Sequence, residues 1–267
     1  MSLLCRSFIG IASVLAIPVV AAQPLRVCAD PDNLPYSHED RSGFENRIAE
    51  IVAAELNRPL EYHWLPQRRA FVRKTIGARL CDVWIGVPAE FERVLTTKPY
   101  YRSSYVFATP ANDKTPLRSF DDPRLPQLRI GVQLIGDDLA ATPPGHALAQ
   151  GGAIEHVVGF TVDGDTPAAQ RIVQSLARGE LNAALVWGPQ AGWFAKRAPV
   201  PINIGVAKAP AGFPLPFEFD IAMGVRRGDN ALRDALQSAI ERRRTEIDAV
   251  LAEFAVPRTD TEAKTAQ

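Results

Sequence analysis

Apolar positions along this chain recur with two periods that alternate. Leu25 to Ala29 is a short apolar run, stopped by the turn formers Asp30-Pro31-Asp32-Asn33-Leu34-Pro35, which predicts a strand and then a loop. Phe44, Ile48, Ile51, Val52 and Leu56 follow at helical spacing, with Asn57 and Pro59 as stop signals. Leu60 to Leu65 reads as a second strand, Ala70 to Ala78 as a helix with Val72 and Ile76 inward, and Asp82 to Val87 as a third strand. This order predicts a parallel sheet covered by helices.

Ser103 to Thr109 reads as a further strand and runs into a stretch rich in Pro, Asp and Asn from Pro110 to Gln127. There the pattern restarts, with a strand at Leu128 to Val132, a polar helix start near Asp137 and a strand at Ile154 to Phe160. A helix with Thr166 as N-cap, Pro167 at its first position and Gly179 past its end carries Ala169, Ile172, Val173 and Leu176 on one face. Leu181 to Val186 is the next strand, and Ala209 to Pro216 is a second Pro- and Gly-rich crossing. A strand from Phe219 to Val225 and helical segments holding Leu232, Leu236, Ile240, Ile247, Val250 and Phe254 complete the chain. The expectation is an α/β protein of two lobes, residues 23–109 with 214–267 and residues 110–213, joined by a two-segment hinge. Ligands in such sheets lie beyond the carboxyl ends of the strands, which places a cleft between the lobes.

The first 22 residues have a different character. Arg6 precedes the apolar run Phe8 to Val19, and Val20-Ala21-Ala22 offers small residues for cleavage, the pattern of a secretory signal peptide. The run is shorter than the roughly 20 residues that span a bilayer, and no other stretch qualifies, so no membrane span is expected after cleavage. Loss of the leader removes Cys5 and leaves Cys28 and Cys81, which in an oxidising compartment have one pairing to make. Two buried free thiols are the alternative, decided by their separation. The 30 basic and 30 acidic side chains of the 267 residues balance, which disfavours nucleic acid as a partner. A hydrophobic content of 46% with 22% charged residues excludes disorder.

The ordered set Leu25-Arg26-Val27-Cys28-Ala29-Asp30, Pro35-Tyr36, Gly43-Phe44-Glu45, Cys81-Asp82-Val83-Trp84-Ile85-Gly86, Arg93, Gly131-Val132, Ser175 to Gly179 and Val225 to Asp229 resembles the periplasmic solute-binding proteins of polar amino acid transporters, with the type II fold. Within that superfamily, Val27 to Ser37, Leu65-Pro66-Gln67-Arg68-Arg69 and Val94 to Ser103 are similar to the MxaJ and XoxJ type. Those are solute-binding-like proteins encoded with pyrroloquinoline quinone (PQQ) dependent methanol and alcohol dehydrogenases. The resemblance implies a periplasmic accessory protein with a quinoprotein dehydrogenase as partner and no cofactor of its own. An importer receptor working with an ABC permease, carrying a small organic acid, amine or amino acid, is the alternative. A dehydratase of the cyclohexadienyl dehydratase kind, which uses the same fold, is a third.

An amino acid ligand needs an Arg for its carboxylate and an acid for its ammonium group. Arg93 stands at the spacing after Gly86 where amino acid binders keep the former, although Glu90 and Glu92 beside it offer a simple ion pair instead. Where they place an Asp after the second-lobe strand this chain has Trp187, and Asp137 with Asp138 occupy a helix start that would otherwise receive an anion. Trp64, Trp84, Tyr100, Tyr101, Tyr105 and Trp187 lie in or beside strand ends, where they either line a wide apolar cleft or pack in the core. Asp30, Asn33 and Tyr36 follow the first strand toward the cleft, with turn capping as the other role for Asp30. Arg68, Arg69, Arg73, Lys74 and Arg79 form a basic run that either steers an acidic partner or is a solvated helix face, as is Arg242-Arg243-Arg244. GxSxG, HExxH and P-loop motifs are absent, His38, His63, His146 and His156 are scattered, and the Asp-rich turn at Asp30 lacks the Gly and Glu of a calcium loop. Neither a catalytic residue nor a metal site is therefore expected.

Overall fold

The computed structural model describes residues 22–135, 140–161 and 166–260. The chain opens with β1 (Leu25–Ala29), the small ribbon β2 (Asp32–Asn33) and β3 (Ser37–His38), α1 (Phe44–Glu55), β4 (Leu60–Trp64), α2 (Phe71–Lys74) and β5 (Val83–Pro88). After β6 (Leu95–Thr96) comes the long strand β7 (Tyr101–Pro110), then β8 (Ile130–Ile135), β9 (Ala140–Ala141), α3 (Pro143–Gln150) and β10 (Val157–Thr161). The remainder is α4 (Ala168–Ala177), β11 (Ala183–Trp187), α5 (Gly188–Lys196), β12 (Ile202–Val206), β13 (Glu218–Val225), α6 (Asn230–Arg242) and α7 (Arg244–Glu253).

The strands hydrogen-bond in the order β10-β8-β11-β7-β13-β5-β1-β4. β1 pairs in parallel with β4 and β5, and β8 in parallel with β10 and β11, as the alternating strand and helix periods require. β7 joins the two halves. Its residues Tyr101 to Ser104 run antiparallel to β13, and Tyr105 to Ala108 run antiparallel to β11. The change of partner thus occurs inside one strand, ahead of the Pro-rich stretch that begins at Pro110. Phe44, Ile48 and Val52 of α1 are fully buried against Leu236, Ile247 and Leu251 of the last two helices. Ile172 and Leu176 of α4 pack with Val106, Ala184 and Val186 in the other half.

Several elements differ from the sequence reading, among them α4, whose N-cap is Pro167 and not Thr166. The predicted helix over 70–78 is one turn long: Thr75 turns its hydroxyl back to Phe71 O at 2.7 Å, and Ile76 and Cys81 fold under it. α5 and β12 were not expected, because Gly188-Pro189 follows a strand directly and the apolar residues beyond show no clean period. The helix start near Asp137 lies outside the described residues.

α5 seats tightly on the end of α7. A Cβ on Gly192 would stand 1.9 Å from Ala255 O, Trp193 stacks on Phe254 at 4.6 Å, and Lys196 Nζ donates to Glu253 O at 2.9 Å. The neighbouring backbone, not a movable side chain, blocks any substituent at this glycine. Gly192→Ala is therefore expected to cost about 2 kcal/mol and lower Tm by about 5 °C, with Trp193 emission shifting as its stack on Phe254 loosens. Gly205→Ala, with open space around it, is the control. Equal melting temperatures for the two variants would refute the seam.

Candidate functional site

A cavity of about 390 Å³ opens where β7 changes partners. Tyr101 and Tyr105 of β7, Phe219 and Ile221 of β13, and Gly86 and Pro88 of β5 form its floor. Trp187 and Gln190, at the start of α5, close one side. Asn33 and Tyr36 from the loop after β1, Gln67 after β4 and Glu45 on the first turn of α1 close the other.

The strand pairings explain the aromatic wall. Tyr105 and Trp187 are paired residues of β7 and β11, with ring centroids 5.3 Å apart, and Phe219 meets the other side of the indole at 5.6 Å. Edge-to-face packing of this kind holds the ring orientation. Tyr36, from the loop after β1, lines the same mouth as Trp187. Amides complete the polar set: Asn33 Nδ2 donates to Gln67 Oε1 at 3.1 Å, and Gln133 Nε2 donates to Gln190 Oε1 at 3.0 Å.

Glu45 is the cavity's carboxyl, and it is only 6% exposed. The close approach to β5 is possible because residue 86 is glycine: a Cβ there would fall 2.0 Å from Glu45 Oε1. Burial pushes the Glu45 carboxyl up from 4.5 to about 8. Burial likewise raises the Tyr36 and Tyr101 phenols well above the usual tyrosine range and Tyr105 to about 12, so all three are neutral in ordinary buffers.

Of the cleft candidates singled out from the sequence, Asn33, Tyr36, Tyr101, Tyr105 and Trp187 line this cavity. Six others do not. Trp64 stacks on Tyr62 at 4.5 Å. Asp30 caps the turn, its carboxylate accepting from Asp32 N at 2.9 Å and Gln67 N at 2.6 Å, and so acts by holding Gln67 in place. Arg68, which follows Gln67, is exposed. Trp84 wedges between Phe71 at 5.0 Å and Phe91 at 6.2 Å beside the disulfide, in the core rather than the cleft. Tyr100 is fully buried and donates its hydroxyl to Ile85 O at 3.1 Å. Arg93 is carried away by the turn from Pro88 to Val94, which Phe91 anchors on Trp84, into a separate cavity of about 450 Å³ with Arg73, Arg226 and Arg227. Asp137 lies outside the described residues.

Glu45, Gln67, Gln190 and Phe219 were not nominated. For Glu45 a signal existed: at helical spacing it falls on the buried side with Ala49 and Val52, a carboxyl on an otherwise apolar face. Cys28 and Cys81 are bonded, with Cα atoms 5.4 Å apart. Among the described residues no group of three or more His, Cys, Asp or Glu side chains could hold a metal ion, and no helix is long and apolar enough to cross a membrane.

The family model for bacterial extracellular solute-binding proteins, family 3, matches residues 25–254. The chain belongs to this family. Within family 3 it is of the MxaJ and XoxJ type. Protein MoxJ of Methylorubrum extorquens is 35% identical over 260 residues, covering 89% of this chain and 83% of that protein. The crystal structure of the periplasmic binding protein XoxJ from Methylobacterium extorquens AM1 superposes with a TM-score of 0.73 at 36% identity, over 88% of this chain and 98% of that one. That of MxaJ from Methlophaga aminisulfidivorans gives 0.77 at 27% identity, over 88% and 99%. The fold is therefore the type II binding-protein α/β fold that the family resemblance implies.

Proposed function

We propose that this chain is a non-catalytic periplasmic protein that binds and supports a PQQ-dependent methanol or alcohol dehydrogenase, using the cleft between its two lobes. The lobes in this reading are residues 23–109 with 214–267 and residues 110–213, and residues 1–22 are a signal peptide that directs export. The observation that carries the reading is the wall of Tyr36, Tyr105, Trp187 and Phe219 around the cleft. Such rings supply large contact area with little conformational entropy to lose, which suits a partner's segment better than a small polar solute. Similarity of this type of protein to MoxJ and XoxJ over most of the chain supports the choice of partner.

The test is capture by the immobilised protein of purified PQQ-dependent methanol dehydrogenase. The expected result is retention of the dehydrogenase, weakened at least about tenfold by Trp187→Ala and unchanged by Arg93→Ala, which lies outside the cleft. No retention by the unaltered protein would overturn the partner, and retention indifferent to Trp187 would overturn the cleft.

A receptor for a small solute of an ABC importer is the second reading. A cavity of about 390 Å³ between two halves joined by one continuous strand favours it, since small-molecule sites are of this size and hinge closure is their usual device.

A further inference from the structure

Glu45 has no use in the packing around it. The residue is only 6% exposed, yet among the described residues no hydrogen bond or ion pair reaches its carboxyl. Burying a polar group without a partner is costly, so such a group in a folded protein calls for an explanation. Space is kept for it by Gly86, and it faces the cavity rather than the core. None of the described residues lining that cavity is basic. The rings of Tyr36, Tyr101 and Trp187 also line it, and aromatic faces attract a cation.

We propose that the cleft holds an organic cation, an ammonium or guanidinium group on an apolar stem, with its charge on the Glu45 carboxylate and its stem against the aromatic wall. The proposal uses the same cleft as the functional reading above but is independent of which partner fills it. A diffusible amine and an arginine or lysine side chain on a partner's segment carry the same chemistry, and the cleft chemistry selects the charge.

Binding of a cation needs the carboxyl ionised, so it releases a proton from Glu45. The titratable groups near Glu45 are Tyr36, Tyr62, Tyr100 and Tyr101, all held neutral by burial. Affinity should therefore rise by up to about tenfold per pH unit from pH 6 to 8 and level off above. This slope separates a charge contact from plain filling of an apolar pocket.

The experiment is calorimetric titration of the full mature protein with n-butylguanidine, n-butylamine, the capped peptide acetyl-Gly-Arg-Gly-amide and the neutral isostere n-butylurea, at pH 6, 7 and 8. The two small cations, or the arginyl peptide, should bind at least about tenfold more tightly than the urea at pH 8, with the stated slope. Preference for the small cations marks a diffusible solute, and preference for the peptide marks a partner side chain. Glu45→Gln should abolish both the discrimination and the slope while Glu61→Gln, on the outer strand β4, keeps them. Equal binding of urea and guanidine, or a pH-independent affinity, would overturn the proposal. Capture of the dehydrogenase by Glu45→Gln as well as by the unaltered protein would leave the functional reading standing and remove only a partner's side chain as the source of the cation.

Discussion

Removing the disulfide, by Cys28→Ala with Cys81→Ala, is expected to lower stability by about 4 kcal/mol and Tm by about 10 °C. The bond ties residues 53 positions apart, and the closed loop contains the β2–β3 ribbon, α1, β4 and α2. In the chain-entropy account a loop of this length restricts the unfolded chain by roughly that amount. The loss falls on a region with little else to hold it. α2 is a single turn, and Arg79 with a φ of 60° completes the return to β5. Phe71, Ile76, Val87 and Val94 pack around the two sulfurs, so the cluster would loosen with the bond. Trp84 reports on it from the inside, through its contacts with Phe71 and Phe91. Denaturation of the double variant, followed by tryptophan emission and by far-ultraviolet circular dichroism, checks this. A midpoint within about 1 °C of the unaltered protein would show that the bond contributes nothing.

Much of this fold is written in the two hydrophobic periods. The parallel pairs around β1 and β8 follow from strands and helices that alternate, and α4 and α6 from apolar residues at helical spacing. What the periods do not contain is side-chain direction in loops. Arg93 and Tyr101 stand eight residues apart on the approach to β7, yet one points to an arginine-lined cavity and the other into the cleft. That difference is made by the turn Phe91 anchors on Trp84, a long-range contact with no trace in local spacing. Tyr100 and Tyr101 separate for a simpler reason, because neighbouring residues of an extended chain face opposite ways. Asp30 was ambiguous between capping and cleft until the position of Gln67 N decided it. α5 escaped detection because it packs through Gly188 and Gly192, and a helix that docks by absent side chains leaves no apolar stripe to count.

Glu45→Gln is expected to stabilise the protein in alkaline buffer by several kcal/mol and to leave it nearly unchanged near pH 4.5. Burial raises the Glu45 carboxyl in the folded protein to about 8, against 4.5 for an ordinary glutamate. Between those values the folded chain keeps a proton that the unfolded chain has released. Stability contributed by this proton is complete below pH 4.5 and falls as pH rises, by about 1.4 kcal/mol per unit, until the folded carboxyl ionises near 8. The positive end of α1 opposes this, since Glu45 lies in its first turn, but such an effect is worth about 0.3–1 kcal/mol and cannot cancel the burial. Glutamine keeps the shape and the neutral state and has no proton to lose. Melting curves of the two proteins should coincide near pH 4.5 and separate progressively to about 10 °C by pH 8.5, the variant being higher. Every other titrating group is common to both chains, including Asp82 held low by Arg26, so the difference isolates Glu45. Parallel curves across that range would mean that the carboxyl is already ionised and solvated in the cleft. A gap that closes when an organic cation is added would instead show the charge finding its counterpart there.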